Sequence, residues 1–170
     1  MNRANPVLGE QLRVRPAELE DAPFILSIFL ESEAQTDFKG GVTLYSVIDW
    51  IESSSPERPF WVLEYADTVM GWCALESFYG LPSFAGAVEL GIYIQAEYQR
   101  QRLASGLLEF VEHHAQQMDI HTLVAYILSA NLRSQQFFKS CGYEQWGMLP
   151  NIARSGGILG DLMVFGKSLS

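Results

Sequence analysis

Residues 87–110, AVELGIYIQAEYQRQRLASGLLEF, join an alternating apolar segment to a polar loop and then to an amphipathic segment. The first part predicts a β-strand, because side chains alternate faces along a strand. The apolar spacing from Leu103 to about Met118 predicts an α-helix. The first N–H groups of a helix have no partner within it, so a helix that starts after a strand is typical of a phosphate site. Arg100 and Arg102 would reinforce the positive potential there, the alternative being a solvated basic helix start.

The alternation in residues 87–94 gives the strand two unlike faces. One face carries Val88, Leu90, Ile92 and Ile94, and the other carries Ala87, Glu89, Gly91 and Tyr93. On the second face a carboxylate and a phenol flank a residue without a side chain, and a glycine within a strand often marks the close approach of a ligand. We therefore predict a site at Glu89, the alternative being a solvent-facing stripe with a β-bulge at Gly91.

The sequence before this stretch predicts three strands and two helices. LRVRPA alternates as a first strand, and Asp21 is expected to cap a helix. The inward residues of that helix are expected to be Phe24, Ile25, Ile28 and Phe29. Thr43 is expected to cap the second helix. Residues 59–78 predict two strands around a tight turn at Ala66-Asp67, and the loop FYGLPSFAG follows them.

The sequence after residue 118 predicts three more strands and one helix. HTLVAYIL, at 121–128, is apolar on both faces, which favours a central strand. Asn131 opens a helix through Phe138, and strands at 143–149 and 160–169 flank a connection, PNIARSGG. The whole predicts one domain, residues 1–170 with a core of about 12–169, in the α+β class with α/β-like layers. Its sheet is expected to be mixed, mostly antiparallel and of about seven strands, with helices on both faces.

Composition narrows the classes of partner. The net charge of −9 over 170 residues argues against nucleic acid and favours a cationic small partner. Cys73 and Cys141 lie far apart in apolar segments, as expected of reduced thiols in a cytoplasmic protein. We expect no signal peptide, no membrane segment and no metal, since no apolar run reaches roughly 18 residues and the histidines lack ligand spacing.

Three features together resemble the GNAT superfamily of N-acetyltransferases. VELGIYI runs into QRQRLA, where Gln99 and Ala104 match the ends of the family's pyrophosphate loop and Arg102 replaces its glycine. NLRSQQFFKSCGY, residues 131–143, is similar to the family's Asn-containing helix that ends in Gly and an aromatic residue. The order and spacing of the elements also match from Leu12 to Leu169. Within the superfamily the chain most resembles the phosphinothricin acetyltransferase group, through VELGIYI, residues 68–89 and the final strand with Asp161.

The resemblance implies transfer of an acetyl group from acetyl-CoA to an amine by direct attack, with Glu89 as general base. It implies that the cofactor-binding residues are Ile92, Tyr93, Ile94, Gln99, Arg100, Gln101, Arg102, Leu103, Ala104, Ser105, Asn131 and Ser134. The pantetheine arm would lie along Ile92–Ile94 and near Asn131, and the pyrophosphate at the loop. Candidate acceptor-binding residues are Tyr79, Phe84 and Asp161, with Trp146 beside them, the alternative for Asp161 being a pair with a neighbouring residue.

Departures from the family pattern define the alternatives. The loop is expected to work if Arg102 avoids positive φ. Phe138 stands where many family members have a tyrosine that can protonate the departing thiolate. The loop before Glu89 lacks arginines that would suit a phosphinate. The leading hypothesis is acetylation of a small primary amine, an amino acid or an analogue. The alternatives are a protein N-terminal or lysine acetyltransferase and a non-catalytic acyl-CoA-binding regulatory module, and the resemblance also makes a homodimer plausible.

Overall fold

A computed structural model describes residues 12–99 and 102–169. The strands are β1 Leu12–Pro16, β2 Phe60–Tyr65, β3 Thr68–Ser77, β4 Ala87–Ile94, β5 Thr122–Leu128, β6 Glu144–Ser155 and β7 Ile158–Ser168. The helices are α1 Ala22–Glu33, α2 Leu44–Glu52, α3 Leu103–Gln117 and α4 Leu132–Ser140. Short 3₁₀ turns lie at Leu19–Asp21, Pro82–Phe84 and Ala96–Tyr98.

All seven strands form a single sheet in the order β1-β2-β3-β4-β5-β7-β6. Within the described residues only β4 and β5 pair in parallel; every other neighbouring pair is antiparallel. The predicted mixed, mostly antiparallel sheet of about seven strands is therefore confirmed. The parallel pair lies at the centre of the sheet, where two antiparallel units meet.

Helices cover both faces of the sheet and bury a separate core on each, as the sequence predicted. On one face α3 and α4 pack Leu107, Val111 and Phe138 against β-residues such as Leu123 and Phe165. On the other face α1 and α2 contribute one group of apolar residues, Ile25, Ile28, Val47 and Ile51, which packs against Val62 and Trp72. Alternating residues of each central strand thus enter different cores, which fixes the register of the strands.

The turn predicted at Ala66-Asp67 is confirmed. Both residues have positive φ, 47° and 66°, as the two-residue turn of a tight hairpin requires. Thr43 precedes α2 as predicted, and its N–H donates to Ser46 Oγ at 3.1 Å.

The expected connection at residues 150–157 is wrong, because β6 continues through Ser155. Pro150 is accommodated because β6 is an edge strand, and two extra residues form a bulge between Leu149 and Ala153. Within the bulge Asn151 has φ 53°, and its N–H donates to Asp161 Oδ1 of β7 at 2.8 Å. The connecting turn is only Gly156-Gly157, both with positive φ.

The expected roles of Asp21 and Phe24 in α1 are also wrong. Asp21 precedes the helix, but its carboxylate binds both Nη atoms of Arg15 at 2.8 Å instead of capping α1. Arg15 also donates to Glu64 at 3.1 Å, so a cation on β1 satisfies two buried carboxylates. Phe24 is 55% exposed because it lies on the opposite side of α1 from Ile25 and Ile28.

No helix within residues 12–99 and 102–169 is long and apolar enough to cross a membrane.

The Arg15–Asp21 pair generates a stability prediction. The Arg15 hydrogen bonds help to hold the pKa of Asp21 below its ordinary value, against the opposing effect of burial. Asp21→Asn should therefore lower the free energy of unfolding by about 2 kcal/mol at neutral pH, measured by urea denaturation. A lowered folded pKa contributes stability above the unfolded pKa of about 3.9, so the deficit should shrink as pH falls through the folded pKa.

Asp49→Asn is the matched control, because Asp49 is exposed on α2. It should change stability by less than about 0.5 kcal/mol. Equal effects of the two substitutions would contradict a structural role for the Arg15–Asp21 pair.

Candidate active site

The centre of the sheet opens into a fork between β4 and β5. Their parallel pairing covers only Ala87↔Thr122 to Glu89↔Val124. Beyond it β4 continues to pair with β3 as far as Ile94, and β5 with β7 as far as Leu128. In the described part of the chain, the facing edges of residues 90–94 and 125–128 therefore have no sheet partner. Such edges can form hydrogen bonds with an extended ligand.

Glu89 lies at the closed end of the fork, on the α1/α2 face of the sheet. Its register partner on β3 is Glu76, and Ala74 lies opposite Gly91. A Cβ atom placed on Gly91 would contact only Tyr93 Cε2, at 3.5 Å, so the space beside Glu89 is open. The structure thus has the predicted notch between a carboxylate and a phenol.

The electrostatic environment of the notch disfavours negative charge. Removal from water raises the pKa of Glu89, and the neighbouring Glu76 carboxylate raises it further. Burial, with help from Glu89 and Glu33, raises the pKa of Tyr93 to about 12. The Tyr93 ring stacks on Trp72 with centroids 4.4 Å apart, which holds the phenol in the α1/α2 core. A neutral Tyr93 therefore adjoins a carboxyl group that binds protons more readily than usual.

The described part of the polar loop after β4, residues 95–99, is held by contacts with β4, α1 and α4. Gln99 Nε2 donates to the carbonyl of Ile94 at 3.1 Å, and Arg133 Nη1 donates to Gln99 Oε1 at 2.5 Å. Glu31 of α1 accepts the N–H of Ala96 at 3.1 Å. Arg100 and Gln101, both predicted to bind the cofactor, lie outside the described residues. Gln99 thereby connects the loop to the first turn of α4.

Arg102 has φ 59° and ψ 14°, so the condition under which the loop was expected to work, that Arg102 avoids positive φ, is not met. It immediately precedes α3, where a left-handed residue redirects the chain into the helix. The conformation costs about 1 kcal/mol for a residue with a Cβ atom. Arginine thus occupies a position whose geometry suits glycine, and it keeps its backbone N–H.

The start of α3 has backbone amides that no intrahelical hydrogen bond uses. The first intrahelical bond runs from the N–H of Gly106 to the carbonyl of Arg102 at 3.1 Å, so the amides of 103–105 precede it. Leu103 is buried against the core, and Ala104 packs beside it. Ser105 Oγ donates to the carbonyl of Arg102 at 3.0 Å, which agrees with a helix-start role and not with a nucleophile.

The first turn of α4 lies at the open end of the β5 arm. Asn131 Oδ1 accepts the N–H of Ser134 at 3.1 Å and caps the helix. Gln135 donates to the carbonyls of Leu128 and Ser129, which fixes α4 to the end of β5. Phe138 is buried in the α3/α4 core, with its ring edge-on to Tyr143 at 5.0 Å.

The predicted acceptor residues occupy different parts of the molecule. Tyr79 and Phe84 pack edge to face at 5.1 Å in the exposed loop that precedes β4. Trp146 of β6 lies over Gly166, where a Cβ atom would overlap its ring, and so faces the α1/α2 side with Glu89. Asp161, by the alternation of β7, belongs to the opposite face and holds the Asn151 bulge. The structure therefore does not bring Asp161 to Glu89.

Four residues near the fork were missed in the sequence. Glu76 could be found from the hairpin register that places it opposite Glu89, and Tyr126 from its being a phenol in an otherwise apolar strand. Arg133 and Phe38 could not be identified from the sequence, because their positions in the fold depend on the paths of loops. Phe38, in the connection between α1 and α2, packs over Gly160 of β7.

No group of three or more His, Cys, Asp or Glu side chains within residues 12–99 and 102–169 is arranged to hold a metal ion. His114 instead packs edge-on against Trp61 at 5.1 Å, as expected of a structural histidine.

Comparisons with known proteins agree with this geometry. The chain is 29% identical over 163 residues to the Bacillus subtilis (strain 168) protein called "Putative phosphinothricin acetyltransferase YwnH", covering 94% of this chain and all of that protein. It is 25% identical over 154 residues to an L-methionine sulfoximine/L-methionine sulfone acetyltransferase of Pseudomonas aeruginosa, covering 88% and 90% of the two chains.

A solved structure shares the fold. It is a GNAT superfamily phosphinothricin acetyltransferase from Sinorhizobium meliloti in complex with acetyl-CoA, with a TM-score of 0.81 and 17% identity over 95% of this chain and 90% of that one. The acetyltransferase (GNAT) family model matches residues 24–143, which is more than half of the chain. The protein therefore belongs to the acetyltransferase (GNAT) family and is an N-acetyltransferase that uses acetyl-CoA.

Proposed function

We propose that the protein acetylates the primary amine of a small molecule, an amino acid or an amino-acid analogue, with Glu89 as the general base. The observation that carries this proposal is the position of Glu89 at the closed end of the fork, beside the open space at Gly91. An amine in that space would adjoin both the carboxylate and the free edge of β4. Holding amine and thioester together supplies much of the rate by itself.

Glu89 has an environment suited to accepting a proton. A protonated alkyl amine has a pKa near 10 and no lone pair, so it must lose a proton before or during attack. Burial and Glu76 raise the pKa of Glu89, which makes it a stronger base than an ordinary carboxylate. The gap in pKa between amine and carboxylic acid remains large, and we propose that a water relays the proton. The attacking nitrogen forms the amide bond, and the thioester C–S bond breaks.

We place acetyl-CoA along the open edge of β4 and at the start of α3. The backbone of Ile92, Tyr93 and Ile94 would hold the pantetheine arm, with Asn131 and Ser134 across the fork. The amides of Leu103, Ala104 and Ser105 would receive the pyrophosphate, since they precede the first intrahelical bond. Gln99, Arg100, Gln101 and Arg102 complete the loop, and Arg133, bonded to Gln99, adds a second cation from α4.

The acceptor side favours a cation with an apolar part. Glu89 and Glu76 are adjacent across β3 and β4, and an ammonium group between them would offset their mutual repulsion. We propose that aromatic side chains supply apolar contacts to the acceptor: Trp146 on β6 faces the same side of the sheet as Glu89, and Tyr79 and Phe84 pack together in the loop before β4. The relatives named for phosphinothricin and methionine sulfone acetylation make amino-acid analogues the first acceptors to assay.

Glu89→Gln tests the assignment of the base. The variant should bind acetyl-CoA as the wild type does but lose roughly 100-fold or more in turnover, because general-base catalysis is worth about that much. Its melting temperature should stay the same or rise. Folding raises the pKa of Glu89, so this carboxyl group loses its stabilising contribution in the wild type as pH rises through that pKa, and a neutral glutamine has no such contribution to lose. Acetyl-CoA titration and release of free CoA are the two measurements. Wild-type turnover by the variant would remove Glu89 from the mechanism.

Glu76→Gln is the matched control. It should keep kcat within a few-fold but raise the KM of the amine, because one of the two carboxylates beside the ammonium group is lost. It should also shift the acidic limb of the pH–rate profile downward, because it removes the like charge that adds to burial in raising the pKa of Glu89. A wild-type protein that binds acetyl-CoA but acetylates no amine would instead favour the non-catalytic binding module.

Arg102 variants test the phosphate loop. Arg102→Glu should weaken acetyl-CoA binding strongly in calorimetry, because it places a negative charge at the helix start. Arg102→Ala should weaken binding less. Arg102→Gly should bind acetyl-CoA with the same affinity as Arg102→Ala. Its free energy of unfolding should be about 1 kcal/mol higher than that of Arg102→Ala, because glycine accepts φ 59°. Binding by Arg102→Glu at wild-type affinity would place the phosphates elsewhere.

We further propose that residues 1–170 act as one domain, in the cytoplasm, as a homodimer. Cys73 and Cys141 are free thiols, which fits a reducing compartment. The hairpin of β6 and β7 exposes apolar side chains at Trp146, Met148, Leu149, Ile152, Ile158 and Leu159. Apolar surface on an edge strand of this length favours association with a second copy.

Sedimentation equilibrium tests the dimer. The wild type should sediment as a dimer and Ile152→Lys as a monomer, because a charge on the hairpin must be desolvated at an interface. Tyr45→Lys, which alters a side chain 84% exposed on α2, should leave the mass unchanged. A monomeric wild type would contradict the proposal.

A further inference from the structure

The proposed reaction leaves one proton unaccounted for. When the thioester bond breaks, the sulfur departs as a thiolate and needs a proton or a hydrogen bond. Phe138 has no hydroxyl, and it is buried with its ring against Tyr143 in the α3/α4 core. The hydroxyl of Tyr143 is itself buried there, without a hydrogen-bond partner among the described residues. If the proposed function holds, the proton must come from another group at the fork.

Two phenols lie on the fork, one on each arm and both on the face of Glu89. Tyr93 follows Gly91 on β4, and Tyr126 follows Val124, the register partner of Glu89, on β5. Tyr93 is held by its stack on Trp72 and contacts with Phe29, so its ring belongs to the α1/α2 core. Tyr126 is 36% exposed, and its hydroxyl makes no hydrogen bond with any described residue.

The surroundings of Tyr126 leave room for a ligand. Its register partner on β7 is Val164, and the residue beyond that on β6 is Gly147, where a Cβ atom would meet nothing. Tyr126 stands just beyond the last β4–β5 pair, where the unpaired edges begin. Its phenol is therefore on the arm of the fork opposite the proposed pantetheine site, with its polar end free.

We propose that Tyr126 is a catalytic residue that donates its hydroxyl proton to the departing sulfur of CoA, in the role that Phe138 cannot perform. Glu89 first takes one proton from the ammonium group and passes it through water to the solvent. It then takes a second proton from the nitrogen as the C–N bond forms. The C–S bond then breaks, and the Tyr126 O–H proton passes to sulfur. The phenolate regains a proton from the Glu89 carboxylic acid through water, so both residues return to their starting states and the products are the amide and free CoA.

The pKa values of the groups involved require the transfer from Tyr126 to sulfur to be linked to the return of a proton from Glu89 to Tyr126. An ordinary phenol, with a pKa near 10, is a weaker acid than an ordinary thiol, near 8.5, so donation alone is uphill by about 1.5 pKa units. Return of the proton from a carboxylic acid to a phenolate is strongly downhill and more than offsets this. Burial and the Glu89 charge raise the pKa of Tyr126, which keeps the phenol protonated until transfer. The same effect makes donation more uphill than the ordinary pKa values give, and the return of the proton from the carboxylic acid must offset this as well.

Titratable groups on this face of the sheet include Glu89 and Tyr93 of β4, Glu76 of β3 and Glu144 of β6, with Arg15 and Glu64 farther away on β1 and β2. The carboxylate that acts on Tyr126 is Glu89, whose negative charge adds to the larger effect of burial in raising the pKa of the phenol.

The first test uses binding and needs no acceptor. Calorimetry gives the affinities of CoA and desulfo-CoA for the wild type and Tyr126→Phe at about pH 9.5, above the ordinary thiol pKa of about 8.5. Tyr126→Phe should bind CoA on the order of tenfold more weakly than the wild type, because a hydrogen bond to a charged group is lost. Desulfo-CoA should bind both proteins equally. The difference between the two proteins in their affinity for CoA should vanish near pH 6.5, about two units below the thiol pKa.

The outcomes separate the two proposals. Equal affinities of both proteins for CoA, or an equal loss for CoA and desulfo-CoA, would overturn the role of Tyr126. Failure of the wild type to bind either ligand would overturn the cofactor assignment and this inference with it. Tyr65→Phe is the matched control, because Tyr65 is a 43% exposed phenol on β2, away from the fork.

The second test is kinetic. With acetyl-CoA and L-methionine sulfone as probes, Tyr126→Phe should lower kcat roughly 100-fold with little change in either KM, since the ring is kept and only the hydroxyl is lost. Tyr65→Phe, which removes an exposed phenol on β2 away from the fork, should leave kcat unchanged. A rise in acceptor KM at constant kcat would show that Tyr126 only contacts the acceptor, and would overturn the proposal.

Discussion

The architecture depends on the early end of the parallel pairing between β4 and β5. Both strands are long enough to pair for several more residues, yet their ladder stops at Glu89↔Val124. Backbone groups without partners at the centre of a sheet are costly, so the fold keeps a site that a ligand can complete. Each arm of the fork leads into a helix start, β4 into α3 and β5 into α4. The Gln99–Arg133 bond ties these two connections together.

Two unfavourable features lie on either side of this opening. Glu89 and Glu76 place like charges opposite each other on neighbouring strands. Arg102 adopts a left-handed conformation that glycine would adopt at lower cost. Local strain and repulsion of this kind are concentrated at functional sites, where the rest of the structure holds them in place. Their position at the two ends of one cleft fits an acceptor on one side and a polyanionic cofactor on the other.

Much of this could be read from the sequence, because it depends on local pattern. The period of two in residues 87–94 was sufficient to put Glu89, Gly91 and Tyr93 on one face, and the spacing after Leu103 was sufficient to place α3. The features that could not be predicted from the sequence depend on residues that are distant along the chain. Asp21 is a good cap by type, but Arg15 on β1 binds its carboxylate. The backbone angle of Arg102 and the bulge in β6 are set by the neighbouring elements, so residue preference alone pointed the wrong way.

The glycines of β7 have a consequence for how this enzyme can diversify. At Gly160 and Gly166 the strand leaves vacant the volume that Phe38 and Trp146 fill from other segments. The two rings over this face of the sheet are thus supplied by a loop and an edge strand, both of which tolerate sequence change better than a central strand does. Substitution of Phe38 or Trp146 can therefore reshape this face while the strand beneath them stays constant.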